Sequence, residues 1–154
     1  MNKKKNTLFI SSSQHFIEMF LKYFFLYLSN EHNINLITNI SSLSSIPKKV
    51  NSYHVKINRK INPINDFFSV IKVLIISFKI KSNYIITVTP KCVIFGSLIK
   101  LFSPKVVRHH IYTGITWSNM KGIKRKFFLI IDKINISLSN KVIFDSKEQI
   151  QYLR

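Results

Sequence analysis

Alanine is absent from this 154-residue chain, and acids are scarce, six Asp and Glu against 24 Lys and Arg. The resulting net charge of +18 directs the chain toward anionic partners: phosphates, nucleic acid or an acidic membrane surface. Part of that charge reads as genome-wide codon bias, because lysine, isoleucine, asparagine and phenylalanine are all heavily used. The cations are spread out, and no helix-turn-helix, RNP or finger pattern accompanies them, so nucleic acid is not the expected partner. A single cysteine, Cys92, excludes an intrachain disulfide, fits a reducing compartment, and reads as a small buried hydrophobe. With three glycines, the chain offers no G-x-G-x-x-G, P-loop or G-x-S-x-G. The scattered acids form no carboxylate pair, and Cys92 with dispersed histidines gives no metal spacing. Neither a metal nor a cofactor is expected.

Long apolar runs are also missing. A transmembrane helix needs about 18 apolar residues. The nearest stretch, Phe67 to Ile80, is interrupted by Ser69, Lys72, Ser77 and Lys79. Behind the basic Asn2-Lys3-Lys4-Lys5, the apolar run Leu8-Phe9-Ile10 is too short for a secretory signal. The expectation is a cytoplasmic protein whose membrane contact is peripheral. What is abundant is hydrophobic residues, 46% of the chain, enough for one domain with a real core.

The pattern of these residues predicts strands at Thr7–Ser11, Asn33–Thr38, Tyr53–Ile57, Asn83–Val88, Lys105–Ile111 and Lys141–Phe144. Helices are predicted at Phe16–Leu28, from Pro63 to about Lys81, from Pro90 to Phe102, from Gly122 to Ser139, and from Asp145 to Arg154. Between them lie a Ser-rich loop over Asn39–Lys49 and a loop from Asn58 carrying Arg59 and Lys60. Strands alternating with helices predict an α/β fold with a parallel, doubly wound sheet of about six strands and no internal boundary. The first helix is apolar nearly all round apart from Glu18 and Lys22. That leaves burial on several sides, or a membrane or partner against it. The last helix is barely two turns long, and the expectation is a chain cut inside a larger design.

Three constellations could carry chemistry. Arg108 to Trp117 follows the fifth strand and holds two of five histidines, one glycine and the only tryptophan. In an open α/β sheet, ligands bind outside the carboxyl ends of the strands. A histidine there serves as general base or substrate hydrogen-bond partner, or is satisfied by neighbouring carbonyls with Trp117 as core. Thr113-Gly114 lets the backbone approach a ligand. Next, Lys121, Lys124, Arg125 and Lys126 crowd a helix start, where cations oppose the helix dipole. They read as a phosphate or membrane site, or as a solvated turn. Finally, Ser11-Ser12-Ser13-Gln14-His15 follows the first strand, as a substrate-lining loop or a capped turn.

Four segments resemble the N-terminal half of bacterial family-4 glycosyltransferases of the GT-B fold, of the capsule, O-antigen or exopolysaccharide type. They are Leu8–Ser13 with Phe16–Leu21; Val88-Thr89-Pro90-Lys91 followed by Gly96; Arg108 to Trp117 with Lys121-Gly122; and Val142 to Gln149. The resemblance implies a Rossmann-like acceptor domain covering residues 1–154. His110 falls on the family's motif histidine and is the expected catalytic residue lining the cleft. Ser12, Ser13, His15, Thr113, Gly114 and Trp117 are expected to bind acceptor, and Lys121, Lys124, Arg125 and Lys126 to meet phosphate or membrane. His109 stands where the family has an apolar residue, which leaves open which histidine faces the cleft.

The implied partners are a lipid-linked saccharide acceptor, the anionic inner face of the cell membrane, and a nucleotide-sugar donor held by a missing or separate C-terminal domain. The first loop departs from the pattern by lacking a glycine pair, and the family's donor domain has no counterpart in these residues. Transfer activity is therefore not expected of the chain alone. A membrane-associated subunit of a two-chain enzyme and a non-enzymatic anion-binding module are the alternatives.

Overall fold

The computed structural model describes residues 4–39, 46–58, 62–115, 117 and 119–153. Arg59, Lys60, Arg154, the N-terminal Asn2 and Lys3, and most of the Ser-rich loop lie outside them. Six strands form one parallel sheet in the order β3-β2-β1-β4-β5-β6. They are β1 (Lys5–Ser11), β2 (His32–Thr38), β3 (Asn51–His54), β4 (Tyr84–Val88), β5 (Val107–Tyr112) and β6 (Lys141–Phe144). The doubly wound α/β sheet expected from the sequence is the observed one.

Alternation along the strands splits the core in two. Leu8, Ile10, Ile37 and Ile85 face helices α3 (Pro63–Lys79) and α4 (Pro90–Phe102) and bury Val73, Phe95 and Ile99 with them. Phe9, Ile34, Leu36 and Ile86 face the other way, onto Ile17, Leu21 and Phe25. β1 is buried from Thr7 onward because it is central and covered on both sides.

Local signals set the helix starts. Ser13 Oγ accepts from Phe16 N–H at 3.3 Å and opens α1 (Gln14–Phe16). The first helix is not uniform. A π-helical turn over Ile17–Leu21 separates α1 from α2 (Lys22–Leu28), with Lys22 N–H donating to Ile17 O. Asn62 Oδ1 caps α3 through Asn65 N–H, Asp66 returns the bond to Asn62 N–H, and Pro63 sits in the first turn. α5 (Gly122–Ser137) and α6 (Lys147–Leu153) complete the set.

β3 departs most from expectation. Pairing runs Asn35–Thr38 against Asn51–His54, and the last bond is Val55 N–H to Thr38 O. Val55 and Ile57 are buried, yet among the described residues no strand continues β2 beyond Thr38 to pair with them.

Gly96 marks a close helix–sheet approach. A Cβ there would meet Thr87 Cγ2 at 2.5 Å and Arg108 Nε at 2.9 Å. Among the described residues no helix is long and apolar enough to cross a membrane. Large side chains nonetheless face outward on α2 (Tyr23, Tyr27), α3 (Phe67, Phe68, Ile75) and α5 (Ile123, Phe127, Ile130, Ile134).

Candidate functional site

β1 leads into α1 on one face of the sheet, and β4 leads into α4 on the other. Their loops diverge at neighbouring strand ends, which is the topological switch point of an open α/β sheet. A cleft of about 520 Å³ opens there. Ser12, Ser13, His15 and Phe16 line it from the β1 side, and Thr89, Pro90 and Lys91 from the β4 side. Asn58 and Thr113 complete the described lining. The described lining is rich in hydroxyl groups and holds no carboxylate.

The two sides are tied together. Ser12 Oγ and Thr89 Oγ1 lie 3.0 Å apart. Lys91 Nζ reaches Asp66 Oδ1 at 2.7 Å and joins α4 to α3 beside the cleft. Cys92 lies buried beneath, and burial pushes its thiol pKa up to about 11, so it is no thiolate nucleophile.

Thr89 is strained, with φ 81° and ψ 146°. A β-branched residue at positive φ costs about 1–3 kcal/mol. Glycine is ordinarily the worse of Gly and Ala by about 0.5–1 kcal/mol. Both lose the Thr89 hydroxyl, but here Thr89→Gly is expected to be more stable than Thr89→Ala by about 1 kcal/mol. Urea unfolding of the two variants checks this, and Ala equal to or above Gly would refute it.

Of the sequence-selected residues, Ser12, Ser13, His15 and Thr113 meet in one cleft. Gly114 follows at φ 147°, with no atom close enough to crowd a Cβ. His110, expected to line a cleft, and Trp117, expected to bind acceptor, are not in the described lining of this one. Arg108, His110 and Tyr112 share the inward face of β5 and are all buried. His110 is 1% exposed, with Nδ1 2.8 Å from Thr87 Oγ1 and its ring edge-on to Tyr112. Burial, then the Arg108 charge, lowers its pKa to about 3, so the imidazole is neutral. His109 lies on the opposite face, and burial followed by Lys141 lowers its pKa also. Neither histidine belongs to the described lining.

Trp117 is 1% exposed, and its indole N–H donates to Asp132 Oδ2. Arg108 is fully buried. Its guanidinium donates to Asn135 O at 2.8 Å, Ser139 Oγ at 2.9 Å and Val93 O at 2.9 Å, binding β5 to both α4 and α5. The only salt bridge among the described residues is Lys91–Asp66, so this guanidinium has no salt-bridged acid.

Lys121, Lys124, Arg125 and Lys126 are exposed around the start of α5, whose first turn holds no acid. The Arg125 guanidinium lies 5.8 Å over the Trp117 ring. Ile123, Phe127, Ile130 and Ile134 add an outward apolar stripe at helical spacing.

Sequence patterns alone do not single out Asn58 and Phe16 as lining residues, nor Asp132 as a partner of Trp117. Phe16 carries a usable signal, as the first apolar residue after a serine cap. Nothing in the sequence marks Asn58 or Asp132.

No family model matches the chain, and no curated protein does. Solved structures do share its fold. A Listeria monocytogenes protein assigned as a UDP-N-acetylglucosamine 2-epimerase superposes with a TM-score of 0.67 at 10% identity, over 98% of this chain and 41% of its own. The UDP-GlcNAc 2-epimerase of Methanocaldococcus jannaschii gives 0.65 at 12% identity, over 97% and 41%. TubZ of Clostridium botulinum phage c-st gives 0.55 at 13%, over 99% and 56%. The chain thus spans under half the length of these two epimerase chains and has the Rossmann-like fold they contain. That one fold serves epimerases and TubZ alike means chemistry has to be argued from the site.

Proposed function

We propose that this chain is a domain of a nucleotide-sugar-handling enzyme, and specifically the acceptor-binding half of a glycosyltransferase. The carrying observation is the hydroxyl-lined cleft at the switch point, where Ser12, Ser13, His15, Thr89 and Thr113 converge. Hydroxyl and imidazole groups suit a polyol, and Phe16 offers an apolar wall to a sugar face. The likeness to UDP-N-acetylglucosamine 2-epimerases supports nucleotide-sugar chemistry, and the sequence segments described above favour transfer over epimerisation. In this reading a nucleotide-sugar is held by a second domain or chain, and its sugar passes to a polyprenyl-diphosphate-linked saccharide in surface polysaccharide synthesis. His110 acts from below by holding Thr87, and the Lys121–Lys126 cluster meets the diphosphate or the anionic inner face of the membrane.

The outward apolar stripe of α5, next to those cations, favours peripheral membrane binding and a two-chain enzyme as the second form of this reading.

The test is amide NMR of the chain with a short-chain prenyl-diphosphate N-acetylglucosamine, and separately with UDP-N-acetylglucosamine. The acceptor analogue is expected to shift Ser12, Ser13, Thr89 and Thr113, and Thr113→Val is expected to weaken it about tenfold, the loss of one or two hydrogen bonds. Shifts of the same residues by UDP-N-acetylglucosamine alone would make this the donor site, and no shift with either would overturn the reading.

A further inference from the structure

Asp132 is the one carboxylate set into the β5–α5 junction, and its surroundings are specific. Its Oδ2 accepts the indole N–H of Trp117, the only tryptophan in the chain. Tyr112 lies buried on β5 beside this junction, and burial, more than the Asp132 charge, pushes its phenol's pKa upward. Tyr112 immediately precedes Thr113, which lines the cleft, and Trp117 lies four residues beyond it. One side chain of α5 therefore holds the far flank of the segment that brings Thr113 to the cleft. The near flank, Tyr112, is held by stacking on Phe144 at 5.2 Å and by the edge of His110 at 4.4 Å. Trp117 O also accepts Met120 N–H at 3.0 Å, just before α5 begins.

We infer that Asp132 is a positioning residue: by holding Trp117 it anchors the segment that carries Thr113 and so fixes Thr113 at the cleft without touching ligand itself. The inference deepens the proposed acceptor site and rests on that reading only for the meaning of Thr113; the placement itself is tested without any ligand. The charged and titratable groups around the junction are Tyr112 and Arg108 from β5 and Arg125 from α5, the last over the Trp117 ring. Burial raises the pKa of Asp132 while its interactions with Trp117 and Tyr112 lower it, so its titration is reported through the indole.

Trp117 is a built-in reporter. In the full chain, the indole N–H proton signal and acrylamide quenching of tryptophan fluorescence are followed with pH, alongside the amide signals of Thr113 and Ser12. In the wild type the indole signal is expected to titrate with Asp132 and quenching to be low. Asp132→Asn keeps an acceptor: the signal stays near its wild-type position, its acid titration disappears, and quenching and the Thr113 amide hold. Asp132→Leu is expected to raise the quenching constant at least threefold and to broaden or move Thr113 while Ser12, across the cleft, stays in place. An indole signal that titrates unchanged in Asp132→Asn would overturn the inference even if Asp132→Leu fails to fold. So would an unaltered Thr113 amide in a folded Asp132→Leu. Failure of the cleft to bind a saccharide would leave these results intact and count only against the functional reading.

Discussion

Replacing Arg108 by alanine is expected to cost about 3 kcal/mol or more of folding stability. Truncating a large side chain in a close-packed site costs about 2–5 kcal/mol, and hydrogen bonds from a charged donor add about 1.5–3 kcal/mol each where nothing replaces them. Arg108 is fully buried and reaches Val93 O on α4 and Asn135 O and Ser139 Oγ on α5 and just beyond it. Not all of this is lost with the guanidinium. Val93 O also accepts from Ser97 Oγ, and Asn135 O from Ser139 Oγ, so those carbonyls stay satisfied. Most of the loss therefore comes from the cavity. Arg108→Met, which fills the space without a charge, is expected to cost less than half as much as alanine. Removing the buried charge also recovers its desolvation cost, the same cost that lowers this guanidinium's pKa to about 10. Urea unfolding of the two variants decides it: equal losses would mean that the charge, and not the packing, holds the layers together.

Acid is expected to unfold this protein largely through His110. The unfolded imidazole takes up a proton near its ordinary value of 6.5, whereas the buried one resists until about pH 3. Between these values the unfolded state binds more protons, so stability rises with pH across the window and is lost as pH falls through it. At up to about 1.4 kcal/mol per pH unit, the loss by pH 3 is on the order of 4 kcal/mol. Asp132 opposes it in part: burial raises its pKa, so the folded state takes up this proton before the unfolded chain does. In His110→Gln, unfolding midpoints between pH 6.5 and 4 are expected to flatten. Curves parallel to wild type would assign the acid sensitivity elsewhere. The same desolvation makes His110 a poor general base in place, which fits a role beneath the cleft better than one inside it.

The sequence by itself determined the layering. β-branched and apolar runs such as Tyr84–Val88, alternating with capped helical stretches such as Asn62–Lys79, specify a parallel sheet with helices on both sides, because only that arrangement buries both strand faces. It also marked Ser12, Ser13, His15 and Thr113, since polar residues just after strands stand at the sheet's ligand edge. Strand periodicity also set the direction of His110: with a period of two, it points the same way as Arg108 and Tyr112.

Which of the two faces of β5 is buried was decided only in three dimensions, when α4 and α5 packed over it. Gly96 makes room for Arg108, and Asn135 and Ser139 supply its acceptors from 27 and 31 positions further along the chain. The same holds for the Ser12–Thr89 contact, Asn58 in the cleft and the Trp117–Asp132 bond. These join groups whose chemistry is ordinary until the crossovers bring them together. Periodicity reports which way a side chain points within its own element, whereas a partner from another element is fixed by the register and closeness with which the elements pack.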